Sequence, residues 1–178
     1  MKKKLIIGII AAVLLLSCTV GATLAWLIDE TETVTNTFTY GDINITLDES
    51  ENLDLKMIPG KTITKDPVVT VKGGSEACWL FVKIEKSANF DSFMTYATAE
   101  GWTALDEVDG VYYREVTSSA DDQAFPVIAG NQVTVSEEVT KEALTALTPE
   151  TAPTLSFTAY AVQKDGIDTA ADAWAKIG

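Results

Sequence analysis

Apolar and polar positions alternate through most of this chain, and the alternation has the two-residue period of half-buried strands. Thr33 to Tyr40 places Val34, Asn36, Phe38 and Tyr40 on one face and four threonines on the other. After a Gly41-Asp42 turn, Ile43, Ile45 and Leu47 alternate with Asn44, Thr46 and Asp48. Pro59-Gly60 marks a turn, and Thr62 to Val71 is predicted as one strand, its Pro67 indicating an edge or a bulge. Ala77 to Ile84 is apolar almost throughout and is predicted as a central core strand. Trp102 to Leu105 and Val111 to Val116 form a predicted hairpin around Asp109-Gly110. Phe125 to Ile128 and Gln132 to Val135 are predicted to pair around Ala129-Gly130-Asn131. Leu155 to Val162 is the last long strand, with Leu155, Phe157, Ala159 and Ala161 on one face.

Helical spacing interrupts this pattern in three places. Phe90, Phe93, Met94 and Ala97 predict a short helix with Asn89 as N-cap. Glu137 to Leu147 fits a short helix or a strand. Asp168 to Ile177 is predicted as a C-terminal helix capped by Asp168 and packed through Ala171, Trp174 and Ile177. Many short strands with turns between them predict a mainly β protein. The expected fold is an antiparallel β-sandwich, jelly-roll-like, with short helical insertions and a C-terminal helix.

The first 25 residues follow a different pattern. Lys2, Lys3 and Lys4 precede an apolar run from Leu5 to Leu16, and small residues follow up to Ala25. This is the layout of a secretory signal peptide forming an N-terminal helix, with Thr23 and Ala25 at the −3 and −1 positions and Trp26 as the new N-terminus. The expected organisation is a signal peptide over 1–25 and a secreted domain over 26–178. Two alternatives stay open. Counted on through Ile28, the segment reaches the length of an uncleaved membrane anchor. Leu15-Leu16-Ser17-Cys18 resembles a lipobox, with Cys18 as the lipidated residue.

Charge and rare residues narrow the chemistry. The chain carries 13 basic and 26 acidic residues. Its three leading lysines leave with the signal peptide, so a net charge of −13 becomes −16. Such a chain does not bind nucleic acid through bulk charge, and divalent cations or mild acid screen its self-repulsion. Without Cys18, Cys78 stands alone in an apolar run, so it is expected to be a buried small hydrophobe rather than half of a disulfide. The sequence contains no histidine. That removes the HExxH zinc site, the Ser-His-Asp triad and the Cys-His dyad. Two-carboxylate hydrolysis needs no histidine, but no convincing pair stands out. Asp48 to Asp54 lacks the spacing and the glycine of a calcium loop and fits a solvated acidic loop. Trp79, Trp102 and Trp174 fit core or interface positions. No cofactor, metal or catalytic residue is expected.

Several blocks resemble the TasA/camelysin (CalY-like) family. They are Asp29-Glu30-Thr31-Glu32-Thr33, Asn36-Thr37-Phe38, Gly41 to Leu47, Ile58 to Pro67, Thr158 to Gln163, and Ala171 to Trp174. The resemblance implies export through a SipW-type signal peptidase, with membrane contact only before processing. It also implies a jelly-roll domain that assembles with itself, and with related subunits, into fibres of the cell surface or biofilm matrix. The assembly segment is then 26–40, with Trp26, Leu27, Ile28, Val34, Asn36, Phe38 and Tyr40 as the residues of a donor strand. An edge strand of the chain's own domain is the plainer account of the same residues. Some relatives are called metallopeptidases, and the missing histidines argue against carrying that activity over. The rival functions are a monomeric secreted or lipid-anchored binding module and a two-carboxylate hydrolase.

Overall fold

The computed structural model describes residues 42–50 and 56–177. Thr23, Ala25, Cys18, the donor-strand residues Trp26 to Tyr40 and part of the acidic loop lie outside the described residues. Among the described residues, ten strands form three sheets, and every pairing among them is antiparallel. The first sheet is β1 (Ile45–Asp48), β3 (Val68–Val71) and β8 (Gln123–Pro126), with β3 central. The second runs β10 (Leu155–Gln163), β4 (Cys78–Lys86), β7 (Val111–Val116) and β6 (Thr103–Ala104). The third is β2 (Thr62–Thr64), β9 (Gln132–Val135) and β5 (Met94–Thr95).

β4 explains the layering. Its even-numbered residues Cys78, Leu80, Val82 and Ile84 pack with Val69 and Val71 of β3 and Val116 of β7, which joins the first two sheets face to face. Its odd-numbered Trp79 and Phe81 point the other way, into a second core with Val111, Leu105 and helix α3 (Ala170–Trp174). A strand buried on both faces has no need of polar alternation, which is why Ala77 to Ile84 reads as a nearly continuous apolar run. Beyond the reach of α3 the outer face turns charged, with Lys83 and Glu85 paired at 2.7 Å. A third core of Ile63, Phe90, Met94, Ile128, Val133 and Val135 fills the space under the small sheet.

Thr62 to Val71 is not one strand. β2 and β3 belong to different sheets, and Lys65-Asp66-Pro67 carries the chain between them. Pro67 has no N–H to continue a ladder. It is fully buried, and its carbonyl accepts from Val127 N (2.9 Å) at the start of the next pairing. Phe125 to Ile128 and Gln132 to Val135 likewise do not pair with each other. β8 pairs with β3, and β9 pairs with β2. The two segments therefore form one long ribbon bent across a sandwich corner. Residues 127–131 face only 65–67 at the bend. The excess is taken up in a turn at Ala129–Asn131, where Gly130 (φ 62°) and Asn131 (φ 54°) are left-handed.

The helices are shorter than predicted. α1 (Phe90–Phe93) is one turn, because Met94 is already extended and pairs with Val135. Asn89 does not cap it through its side chain. Its amide donates to the Thr151 carbonyl (2.9 Å) and accepts from Ser87 Oγ (2.8 Å). Glu137 to Leu147 resolves as helix α2 (Lys141–Thr145), capped by Thr140. α3 is capped by Thr169, not Asp168. The Thr169 hydroxyl accepts from Asp172 N (3.1 Å) and donates to the Asp172 carboxylate (2.7 Å), a two-way bond that an ionised Asp168 has no proton to make. The buried side of α3 is Ala170 and Ala173, while Ala171 faces solvent. These small residues let the helix approach the sheet, and Trp174 packs at a tilt against Phe81 (ring centroids 5.3 Å apart) and edge-on against Tyr160 (5.4 Å).

Candidate functional site

Because the first two sheets face each other, the sandwich has two flanks where their edge strands meet. One flank is closed. Arg114 belongs to the inward row of β7, opposite Leu80, where an apolar residue is the ordinary choice. Its guanidinium lies 4.0 Å from the Phe125 ring and 5.4 Å from Trp102. Trp102 Nε1 donates to the Pro126 carbonyl at 2.8 Å. This stack spans from the β6–β7 side to β8. Burial there lowers the Arg114 pKa, and its Nε is buried with no hydrogen-bond partner. The ring faces offset that loss through cation–π attraction.

The other flank lies between β1 and β10 and is open among the described residues. No described strand pairs with the outer edge of β10. That edge is nine residues long and carries no charge, proline or glycine. The remaining sheet edges are blunted. β1 has four residues and ends in Asp48, β8 ends in Pro126, and β2, β5 and β6 have two or three residues each. Charges, prolines and shortness are the usual protections of an edge, and β10 has none of them.

The core beneath this flank is incompletely covered. Val69, Leu80 and Val82 are 0 % exposed, whereas Ile45, Leu47, Leu155, Phe157, Ala159 and Ala161 are only half-buried although they pack on the same cluster. A cavity of about 340 Å³ lies in the seam, lined by Leu47, Pro67, Leu155 and Phe157 among others. A second, apolar cavity of about 370 Å³ adjoins it, walled by Met57, Ile63, Phe90 and Met94. Lys65 and Leu155 line both cavities. Lys65 pairs with Glu49 at 2.6 Å and lies 5.5 Å from the Phe157 ring. Ser50 holds the neighbouring Asp66 through its hydroxyl (2.5 Å) and backbone N–H (3.1 Å), and these bonds lower the Asp66 pKa. The end of β1 is thus tied to the corner that carries Pro67.

The other sequence candidates resolve into structural roles. Cys78 is fully buried, and desolvation pushes its pKa up to about 11. Trp79 and Trp174 belong to the core under α3. The sequence reasoning missed the open β10 edge and Arg114. The signals were present: nine uncharged residues in the last strand, and one charge in the inward row of Val111 to Val116.

Among the described residues the arrangement defines a class: an antiparallel β-sandwich with one flank sealed and one presenting a long, chemically bare strand edge. Residues 1–88 match the family described as camelysin metallo-endopeptidase, in agreement with the resemblance drawn from the sequence. No curated protein and no solved structure matches the chain. Among the described residues, the metal that this description implies finds no fitting set of ligands. With no histidine in the sequence, a site among the described residues would rest on carboxylates and Cys78. Cys78 is sealed in the core, and among the described residues no three acidic or cysteine side chains come close enough to hold one ion.

Proposed function

We propose that this chain is a non-enzymatic structural protein, exported and assembled into extracellular fibres of the cell surface or biofilm matrix. In this account a SipW-type peptidase cuts after Ala25. The freed segment 26–40 of one copy then adds as a strand to the next copy, and related matrix subunits join the same polymer. The observation that carries the proposal is the nine-residue uncharged edge of β10 over a half-covered core. An added strand supplies backbone partners to that edge and covers the exposed side of the apolar cluster. Because donor and acceptor are different surfaces, the contact does not close on itself and propagates as a filament.

The test is the exported protein with and without residues 26–40. The full chain gives filaments that grow with concentration. The deletion gives a folded, non-polymerising domain. Filaments from the deletion would refute strand addition by this segment.

A further inference from the structure

The third sheet covers its core without filling it. β2, β9 and β5 have only three, four and two residues, and they contribute Ile63, Val133 and Met94 to the cluster beneath. Ile63 and Val133 stand opposite each other in the ladder, and Phe90 of α1 joins them at 1 % exposure. A further wall is the strap Ala152-Pro153-Thr154, which leads into β10. Hydrogen bonds hold this strap in place. Thr154 N donates to Ser87 Oγ (2.9 Å), Ser87 N donates to the Thr154 carbonyl (3.0 Å), and the Asn89 amide donates to the Thr151 carbonyl (2.9 Å). Ala152 and Pro153 are small, and the space they leave is the apolar cavity of about 370 Å³. The cavity is therefore preformed, since its walls are fixed by ladders and strap bonds rather than by a guest.

The lining decides what suits this space. Small-ligand pockets run from about 300 to 1,000 Å³, and this one lies at the small end. Of its ten lining residues only Lys65 and Thr154 have polar side chains. Water inside a protein needs roughly two to four polar partners, so an apolar body is the better filler. Met57 and Met94 are unbranched and polarisable, and such side chains adapt to the shape of a guest. Among the described residues lining the cavity, Lys65 alone is charged. Its side chain is 17 % exposed and stands where this cavity meets the seam cavity. Glu49 accepts from the ammonium at 2.6 Å, and an ammonium has three donors, so it can serve a second carboxylate as well.

We propose that this cavity is a binding site for a free single-chain carboxylate amphiphile, with the alkyl tail among Met57, Ile63, Phe90 and Met94 and the carboxylate on the Lys65 ammonium. The site does not rest on the fibre account. It takes a small molecule, and Leu155 is the only one of its lining residues that comes from β10.

Methionine-methyl NMR of the exported protein tests it, at a concentration where nothing sediments. Met57 and Met94 are the only methionines after Met1, and both line the cavity, so their methyl signals report its contents directly. Met57→Leu assigns the two signals. The probes are sodium decanoate and decyltrimethylammonium, each below its micelle concentration. The expected result is a saturable shift of both signals with decanoate, together with a raised thermal midpoint. Decyltrimethylammonium should bind at least tenfold more weakly. Lys65→Gln should weaken decanoate at least fivefold, whereas Lys61→Gln, an exposed lysine of the same segment, should leave it unchanged. Ala152→Leu, which narrows the space under the strap, should weaken both probes. The comparison of the two probes on the unmutated protein needs no variant to fold. No saturable shift of either signal overturns the proposal, as does equal binding of the two probes. Decanoate binding that Lys65→Gln leaves unchanged overturns the assignment of the carboxylate to Lys65, and with it the proposal. None of these outcomes bears on whether the chain forms fibres.

Discussion

Ala161→Lys places a charge where the open flank tolerates it and a covered flank does not. Ala161 belongs to the inward row of β10, opposite the fully buried Leu80, yet is itself only half-buried because nothing described pairs outside it. In a free subunit the lysine stem lies along the apolar seam and its ammonium reaches water past the strand edge, at a folding cost of about 1 kcal/mol. A strand laid over the edge closes that exit. The ammonium is then desolvated without a partner, a penalty of several kcal/mol. Taking roughly 3 kcal/mol, at 1.4 kcal/mol per decade, the concentration needed for assembly rises on the order of 100-fold. Urea unfolding followed by tryptophan fluorescence reads the first number, and pelleting across a concentration series reads the second. Ser156→Lys on the exposed face, opposite Glu85, is the control and leaves both unchanged. Assembly of Ala161→Lys at the wild-type concentration would refute the reasoning. So would a folding loss above about 3 kcal/mol, which would place Ala161 in a closed core.

The other expectations concern the sheet, its loops and its cysteine. Phe81→Ala removes a fully buried ring packed between Tyr113 and Trp174, so urea unfolding should show a loss of about 3–5 kcal/mol. A loss under about 1 kcal/mol would mean that α3 does not cover the second face. Asp66 and Asp122 have lowered pKa values, the first from the Ser50 hydroxyl and N–H, the second from Gly73 N–H and Lys72. A lowered folded pKa adds stability that is full above the unfolded value of about 4 and is lost as pH falls on through the lower folded value. The thermal midpoint should therefore drop below about pH 4, and less steeply in Asp122→Asn; an unchanged slope in that variant would remove Asp122 from the account. Cys78 should resist thiol reagents at pH 8 until urea unfolds the protein, and rapid labelling of the folded protein would contradict its burial.

What the sequence shows and what it hides follow from how local each feature is. β4 and β10 were legible because burial on two faces, or on one, writes itself into successive residues. The hairpin from Thr103 to Val116 was legible because Gly110, with φ 73°, marks its turn. The bent ribbon was not. Residues 62–71 and 123–135 both have strand composition throughout, and only the partner across the ladder reveals that each changes sheets. The cap of α3 depended on a one-residue difference between Asp168 and Thr169. The open flank is the least local feature of all, since an edge is defined by which strands fail to arrive. Its uncharged sequence is a clue only once β10 is known to lie at the edge. The family match over residues 1–88 ends just before α1, whereas the resembling blocks Thr158 to Gln163 and Ala171 to Trp174 lie beyond it.

The central claim is that copies of this chain join through the segment before Asp42 and the bare edge of β10. Negative-stain electron microscopy of the exported protein, incubated across a concentration series at mildly acidic pH, tests it most directly. The account predicts regular filaments above a threshold concentration, and none when residues 26–40 are deleted. Monodisperse particles at every concentration, with the segment intact, would contradict it.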